Sequence, residues 1–242
     1  MRIKLFGKGF NYSQDGRGNR LVYHLQGCNM RCPWCSNPEG MGDSGYACKE
    51  YEVDELVEEV LRSAPMFFDG GGATLTGGEA TLQFEAVRAF LKELRANAVN
   101  TALETNGTHR RLSELFPIVD ELIMDFKHYD SAVHKAHTGV GNEEVMANIQ
   151  KAKEQRGQLL IRIPLVGGFN ANASDIMGFV RVLKENNFPG LLVELLSYHE
   201  FGKDKWAKCG LEYTMKDGYV SGETIKAFAD ELINNNIIST KT

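Results

Sequence analysis

No apolar run in this 242-residue sequence approaches the length that crosses a bilayer, so a membrane-spanning protein is not expected. The N-terminus, MRIKLFGKGFNYSQDG, lacks the long apolar core of a signal peptide or anchor, and a reducing, cytoplasmic setting is the expectation. Basic charge is scarce too. Lysine and arginine number 27 against 32 acidic residues, a net charge of −5, and the basic residues are scattered. No general field exists to attract a polyanion, so nucleic acid is not an expected partner. Cysteines number five, an odd count crowded mostly into one loop, which excludes a secreted disulfide framework. There is no linker and no low-complexity tract. What the sequence does have is 43% hydrophobic residues, enough to bury a full core, and the expectation is a single domain over residues 1–242.

The apolar pattern alternates in a regular way. Short β-rich runs stand at RLVYHLQG (20–27), GATLTGGE (72–79), NTALETNG (100–107), DELIMDFK (120–127), QLLIRIPLV (158–166) and GLLVELLSY (190–198). Amphipathic helical stretches lie between most of them, at 52–64, 81–97, 142–155 and 174–187. In the second, Phe84, Val87, Phe90, Leu91 and Leu94 share one face. A capping helix over about 221–235, opening at Ser221 and striped with Ile225, Phe228 and Leu232, is expected to end the domain.

Repeated strand–helix units predict right-handed βαβ crossovers and an α/β fold with a parallel sheet. Six units fall short of the eight that close a TIM barrel. The expected architecture is a partial, open (β/α)6 TIM-like barrel of parallel strands, with an open doubly wound sheet as the second arrangement. Each strand ends in a group capable of chemistry, and such ends share one rim.

The loop after the first of these strands holds Cys28, Cys32 and Cys35 at C-x3-C-x2-C spacing. Three thiolates can wrap one metal centre, yet most cysteine-bound centres take four ligands. Three readings compete. A structural zinc would need His24 or Cys48 as fourth ligand; the thiols would otherwise be unligated and structural. The third reading is a 4Fe–4S cluster (cluster loop 28–35) with one iron left open for a ligand of the reaction. Cys48 and Cys209 stand alone and read as spectators.

The string CNMRCPWCSNPE, with Trp34 before the last cysteine, resembles the radical S-adenosylmethionine superfamily, and more narrowly the activating enzymes of glycyl radical enzymes. TGGEATLQ, LETNGT, IMDFKHYDSAVHKAHTGVGNEEVMANI, IRIPLVGGFN and LSYHEFGKDKWAKCGLEY resemble further segments of that family, in order, from about Leu21 to Tyr213. The resemblance implies that Cys28, Cys32 and Cys35 hold the cluster as the catalytic and metal-binding residues, and that S-adenosylmethionine is the fourth ligand. It further implies that Gly77, Gly78 and Glu79 approach the methionyl amino group, that Asp125 and Lys127 contact the cosubstrate, Lys127 at its carboxylate, and that Trp34, Ser36, Asn37 and His199 border the adenosine. A monovalent cation near Glu104, Thr105 and Asp125 is implied as well, although the best-known activase, of pyruvate formate-lyase, has Asp where this chain has Glu104. Arg162 is open between a cosubstrate contact and a strand-end salt bridge.

Many activases of this kind carry a cysteine-rich insert before the second strand; here the interval holds only Cys48, so one cluster is expected. The implied activity is reductive cleavage of S-adenosylmethionine and hydrogen abstraction from a backbone glycine of a partner glycyl radical enzyme. A flavodoxin- or ferredoxin-like electron donor and a monomeric state are also implied. The alternatives are a radical enzyme acting on a small molecule, as the carboxy-deazaguanine synthases do, and a zinc-stabilised binding module.

Overall fold

The computed structural model describes residues 1–41 and 47–240. Along the chain run strands β1 (Arg2–Tyr12), β2 (Asn19–Leu25) and β3 (Lys49–Glu52), helix α1 (Val53–Ser63), β4 (Gly72–Gly77), α2 (Phe84–Ala96), β5 (Thr101–Thr105) and β6 (Glu121–Asp125). Helices α3 (Ser131–Thr138) and α4 (Glu143–Gln155) follow, then β7 (Leu159–Leu165), α5 (Ala173–Glu185), β8 (Leu191–Ser197), α6 (Lys203–Lys208), α7 (Gly222–Asn234) and β9 (Ile238–Thr240). Among the described residues these strands form one nine-stranded sheet in the order β3-β1-β2-β4-β5-β6-β7-β8-β9. Strands β2 and β4 to β9 pair in parallel; β1 runs antiparallel to both β2 and β3. The outer strands β3 and β9 have one neighbour each, so the sheet is open and not a closed barrel.

The six strands expected from the apolar runs are β2 and β4 to β8. Three others carry little pattern. In β1 the alternation is broken by Gly7 and Gly9 and the register shifts between Leu5 and Gly7; β3 is the polar KEYE, and β9 spans only three residues. Helix α7 opens where expected, with the Ser221 hydroxyl accepting from the Thr224 N–H at 3.2 Å. It does not end the chain's structure, however: β9 follows it and pairs with β8.

Alternation along each strand divides the sheet into two faces. Ala73, Leu75, Leu103, Ile161, Ile163, Val193 and Leu195 belong to the core shared with Phe90 and Leu94 of α2 and Phe179 of α5. The opposite face is polar. There Arg20 donates to Thr74 Oγ1 at 2.7 Å, Thr76 to Glu104 Oε2 at 2.9 Å, and Arg162 to both Glu104 and Glu194. The β1–β2 loop reaches onto this face, where the Gln14 carbonyl accepts from Arg162 and the Asp15 carbonyl from Thr74. Parallel registry then brings the C-terminal strand ends together: Leu25 pairs with Gly77, Thr105 with Met124, Asp125 with Arg162 and Leu165 with Ser197.

Candidate active site

The loop after β2 is built onto the end of β4. Gly27 N–H donates to the Gly40 carbonyl at 2.9 Å, Gly78 N–H to Leu25 at 2.9 Å and Glu79 N–H to Gly27 at 2.6 Å. This contact is what demands glycine. Gly77 has φ +123°, a region L side chains rarely adopt, and a Cβ on Gly78 would stand 2.1 Å from the Gly27 carbonyl oxygen and 2.6 Å from that of Gly40. From the other side α6 grips the loop. Trp206 Nε1 donates to the Cys35 carbonyl at 3.0 Å, and Lys205 Nζ to the Ser36 carbonyl and Asn37 Oδ1 at 3.1 Å each, with Glu39 3.3 Å away. A third tie runs from the Arg31 N–H to the carbonyl of Thr138 at the end of α3, at 2.8 Å.

These ties present Cys28, Cys32 and Cys35 to a single cavity of about 240 Å³ at the strand ends. Trp34, Ser36, Asn37, Gly77, Gly78, Glu104, Thr105, Asp125, Lys127 and His199 line the same cavity. Thr76, Asn106, Pro164, Val166 and Tyr198 line it too, and sequence reasoning had assigned them no role. All five lie inside the matched strings, which was the only available signal for them. Trp34 packs on Phe169 with ring centroids 4.5 Å apart, and with Met30, Val166 and Tyr198 these rings make an apolar floor around Cys32.

Glu79 stands apart. It is 1% exposed and is not among the cavity-lining residues. Its carboxylate accepts from the Thr81 N–H at 3.0 Å and the Thr81 hydroxyl, from Thr105 Oγ1 at 2.7 Å and from the Asn106 N–H at 2.6 Å. The side chain is thus a clamp joining the ends of β4 and β5, directly behind the glycine turn. Arg162 resolves as a salt bridge, its Nη1 on Glu104 and its Nε on Glu194, each at 2.6 Å. Lys127 and Asp125 form an ion pair at the rim. Burial opposes the Lys127 charge, but Asp125 and the neighbouring thiols outweigh it and hold the ammonium above the ordinary lysine range. Burial lowers the His199 imidazole, whose ring stacks on the 83% exposed Phe201.

The cysteines are free thiols, and burial pushes Cys28 up to about 11 and Cys32 up to about 12, with Cys35 raised for the same reason. Three such thiols gathered in an apolar wall become good ligands only beside a strongly positive centre, which deprotonates a coordinating thiol. Neither His24 nor Cys48 joins them at the cavity. Among the described residues no three His, Cys, Asp or Glu side chains converge as ligands of a single metal ion would. With three thiols on the cavity and neither His24 nor Cys48 beside them, a tetrahedral zinc site would be one ligand short, and the donor set suits a cluster with one iron open to an outside ligand.

The sequence matches the Radical SAM superfamily over residues 22–188, more than half of the chain. The chain belongs to the radical SAM superfamily. Its radical SAM relatives include the pyruvate formate-lyase-activating enzyme of Staphylococcus epidermidis, 32% identical over 213 residues and 84% of each chain. The 4-hydroxyphenylacetate decarboxylase activating enzyme of Clostridioides difficile is 27% identical, over 92% of this chain and 90% of its own. Among solved structures, a domain of the pyruvate-formate lyase-activating enzyme from Bacteroides vulgatus aligns with a TM-score of 0.58 at 26% identity, covering 70% of this chain and 98% of that one. A radical SAM methyltransferase from Sphaerobacter thermophilus shares the fold at a TM-score of 0.68 and 16% identity, over 96% of this chain and 67% of its own. Membership implies a 4Fe–4S cluster and S-adenosylmethionine, and the thiol set above fits the first of these. Among the described residues no helix is long and apolar enough to cross a membrane.

Proposed function

We propose that this protein activates a glycyl radical enzyme by abstracting a hydrogen atom from a backbone glycine of that partner. The supporting observation is the convergence of three thiols, the Asp125–Lys127 pair and a glycine turn on one cavity, in a chain whose relatives at 32% and 27% identity are glycyl radical activases. Cys28, Cys32 and Cys35 would hold the cluster, which would supply the electron for reductive cleavage of S-adenosylmethionine. The chain's own residues position and shield. Lys127 meets the cosubstrate carboxylate with a charge that Asp125 keeps in place, and low local dielectric strengthens that contact. Trp34, Ser36, Asn37 and His199 border the adenosine, while the apolar floor of Met30, Phe169 and Val166 keeps water from the reacting bond. No side-chain acid or base is required, because a hydrogen atom and not a proton leaves the glycine. Reduction is assigned to a flavodoxin- or ferredoxin-like donor.

The test is a radical assay. The reconstituted protein is mixed anaerobically with a reductant, S-adenosylmethionine and either pyruvate formate-lyase or 4-hydroxyphenylacetate decarboxylase. A doublet electron paramagnetic resonance signal is expected, with one equivalent of 5′-deoxyadenosine per radical. Alanine at the partner's glycine should abolish the signal. Multiple turnovers of deoxyadenosine driven by a small molecule, with no radical on any protein, would replace this reading with small-molecule chemistry.

A further inference from the structure

The resemblance implies a monovalent cation held by Glu104, Thr105 and Asp125, and those three groups do not fit one. Glu104 Oε1 accepts from Arg162 Nη1 at 2.6 Å and its Oε2 from Thr76 Oγ1 at 2.9 Å. The Thr105 hydroxyl donates to Glu79 Oε1 at 2.7 Å and accepts from the Gly107 N–H at 3.1 Å. Asp125 Oδ2 accepts from the Lys127 ammonium. Each candidate ligand already has a donor of its own, and two of the donors are cations.

The guanidinium is held as firmly as the carboxylates. Arg162 is 6% exposed and stands on β7 opposite Asp125 of β6 and Glu194 of β8 in the strand register. Its Nε donates to Glu194 and its Nη2 to the Gln14 carbonyl, both at 2.6 Å, while Nη1 serves Glu104. All three nitrogens of the fork are engaged. A guanidinium does not lose its charge in a protein, and its planar donors match carboxylates better than a spherical ion does. Because it is tethered to β7, its local concentration does not depend on the medium. A sodium or potassium ion would have to shed its water, break the 2.6 Å Arg162–Glu104 pair and leave a buried guanidinium short of a partner. The extra methylene of Glu104 relative to aspartate lengthens the reach from β5 toward β7.

We infer that Arg162 is the built-in cation of this site, and that cosubstrate binding here needs no monovalent metal ion. The inference rests on the reading above, in which Asp125 and Lys127 border the cosubstrate carboxylate.

The experiment measures S-adenosylmethionine affinity of the reconstituted protein in sodium, potassium or lithium chloride against choline chloride at matched ionic strength. The wild-type Kd is expected to agree within about twofold across all four salts. In Arg162→Met the two carboxylates lose their counter-charge, so the affinity should fall in choline and recover about tenfold or more in sodium or potassium. Arg162→Lys should restore indifference to the salt. A wild-type Kd that tightens tenfold with sodium or potassium overturns the inference, and this arm decides even if the variants do not fold. An Arg162→Met protein that folds, binds and ignores the salt also overturns it. If the iron-loaded wild type binds no S-adenosylmethionine in any salt, the functional reading itself has failed.

Discussion

Lys127 carries its charge where little water reaches it, with a side chain 11% exposed, and shares that charge with Asp125. Losing a desolvated, charge-assisted contact costs about 1.5–3 kcal/mol, roughly ten- to a hundredfold in affinity. Lys127→Met and Asp125→Ala are therefore expected to weaken S-adenosylmethionine binding by that factor while iron loading stays intact. Unchanged affinity in both would mean that the cosubstrate carboxylate lies elsewhere. The cysteines separate in the same way. Cys28, Cys32 and Cys35 line the cavity, whereas Cys48 is exposed away from it and Cys209 is buried outside it. Alanine at any of the first three should abolish the iron–sulfur chromophore, and Cys48→Ala should leave iron and sulfide content unchanged. Eight irons per chain in the wild type would contradict a single cluster.

The short helix α6 acts on the cluster loop as an element. It contributes Trp206 and Lys205, whose donors reach three acceptors on residues 35–37. Removing them frees backbone carbonyls beside the thiols, each hydrogen bond being worth about 1 kcal/mol. Trp206→Phe combined with Lys205→Met should bleach the cluster severalfold faster under chelator, with helix content by circular dichroism unaltered; an identical bleaching rate would show that α6 is only a lid. Gly78→Ala attacks the same loop from β4. The 2.1 Å approach of its Cβ to the Gly27 carbonyl forces strand and loop apart, and both iron content and stability should drop together. Helix α3 adds a pH-dependent tie. His134, 1% exposed, shares a proton-bearing ring contact with the Val140 carbonyl, and burial lowers its pKa. A depressed histidine contributes stability above its unfolded pKa of about 6.5 and loses it as pH falls through the lower folded value. Unfolding midpoints in urea should therefore drop below about pH 6, and less steeply in His134→Phe. Parallel slopes for the two proteins would rule His134 out as the cause.

Across the whole molecule, Arg162 joins β5, β7 and β8 through Glu104 and Glu194, and reaches the β1–β2 loop through Gln14. Removing one member of such a buried network leaves uncompensated charge and typically costs about 3–5 kcal/mol. Arg162→Met should lower stability in urea by that order, and Glu104→Gln added to it should return part of the loss. A second substitution that only adds to the first would show the two side chains to be independent.

The six parallel strands and the helices between them were legible because each carries its own periodicity, which depends on neighbours along the chain. The cysteine loop was legible for the same reason: its three thiols fall within eight consecutive positions. Strands β1, β3 and β9 were not, since pairing partners at the sheet edge supply what broken or short patterns lack. Glu79 and Glu104 illustrate the deeper limit. Glu79 was expected at the cosubstrate and Glu104 at a cation beside it, and from sequence a carboxylate at a strand end looks the same whether or not a neighbour also reaches it. Glu79 turns to Thr81, Thr105 and Asn106, and Glu104 to Arg162, which stands 58 residues further along the chain. A carboxylate's role is set by the donor that reaches it through space, and parallel registry between distant strands chooses that donor.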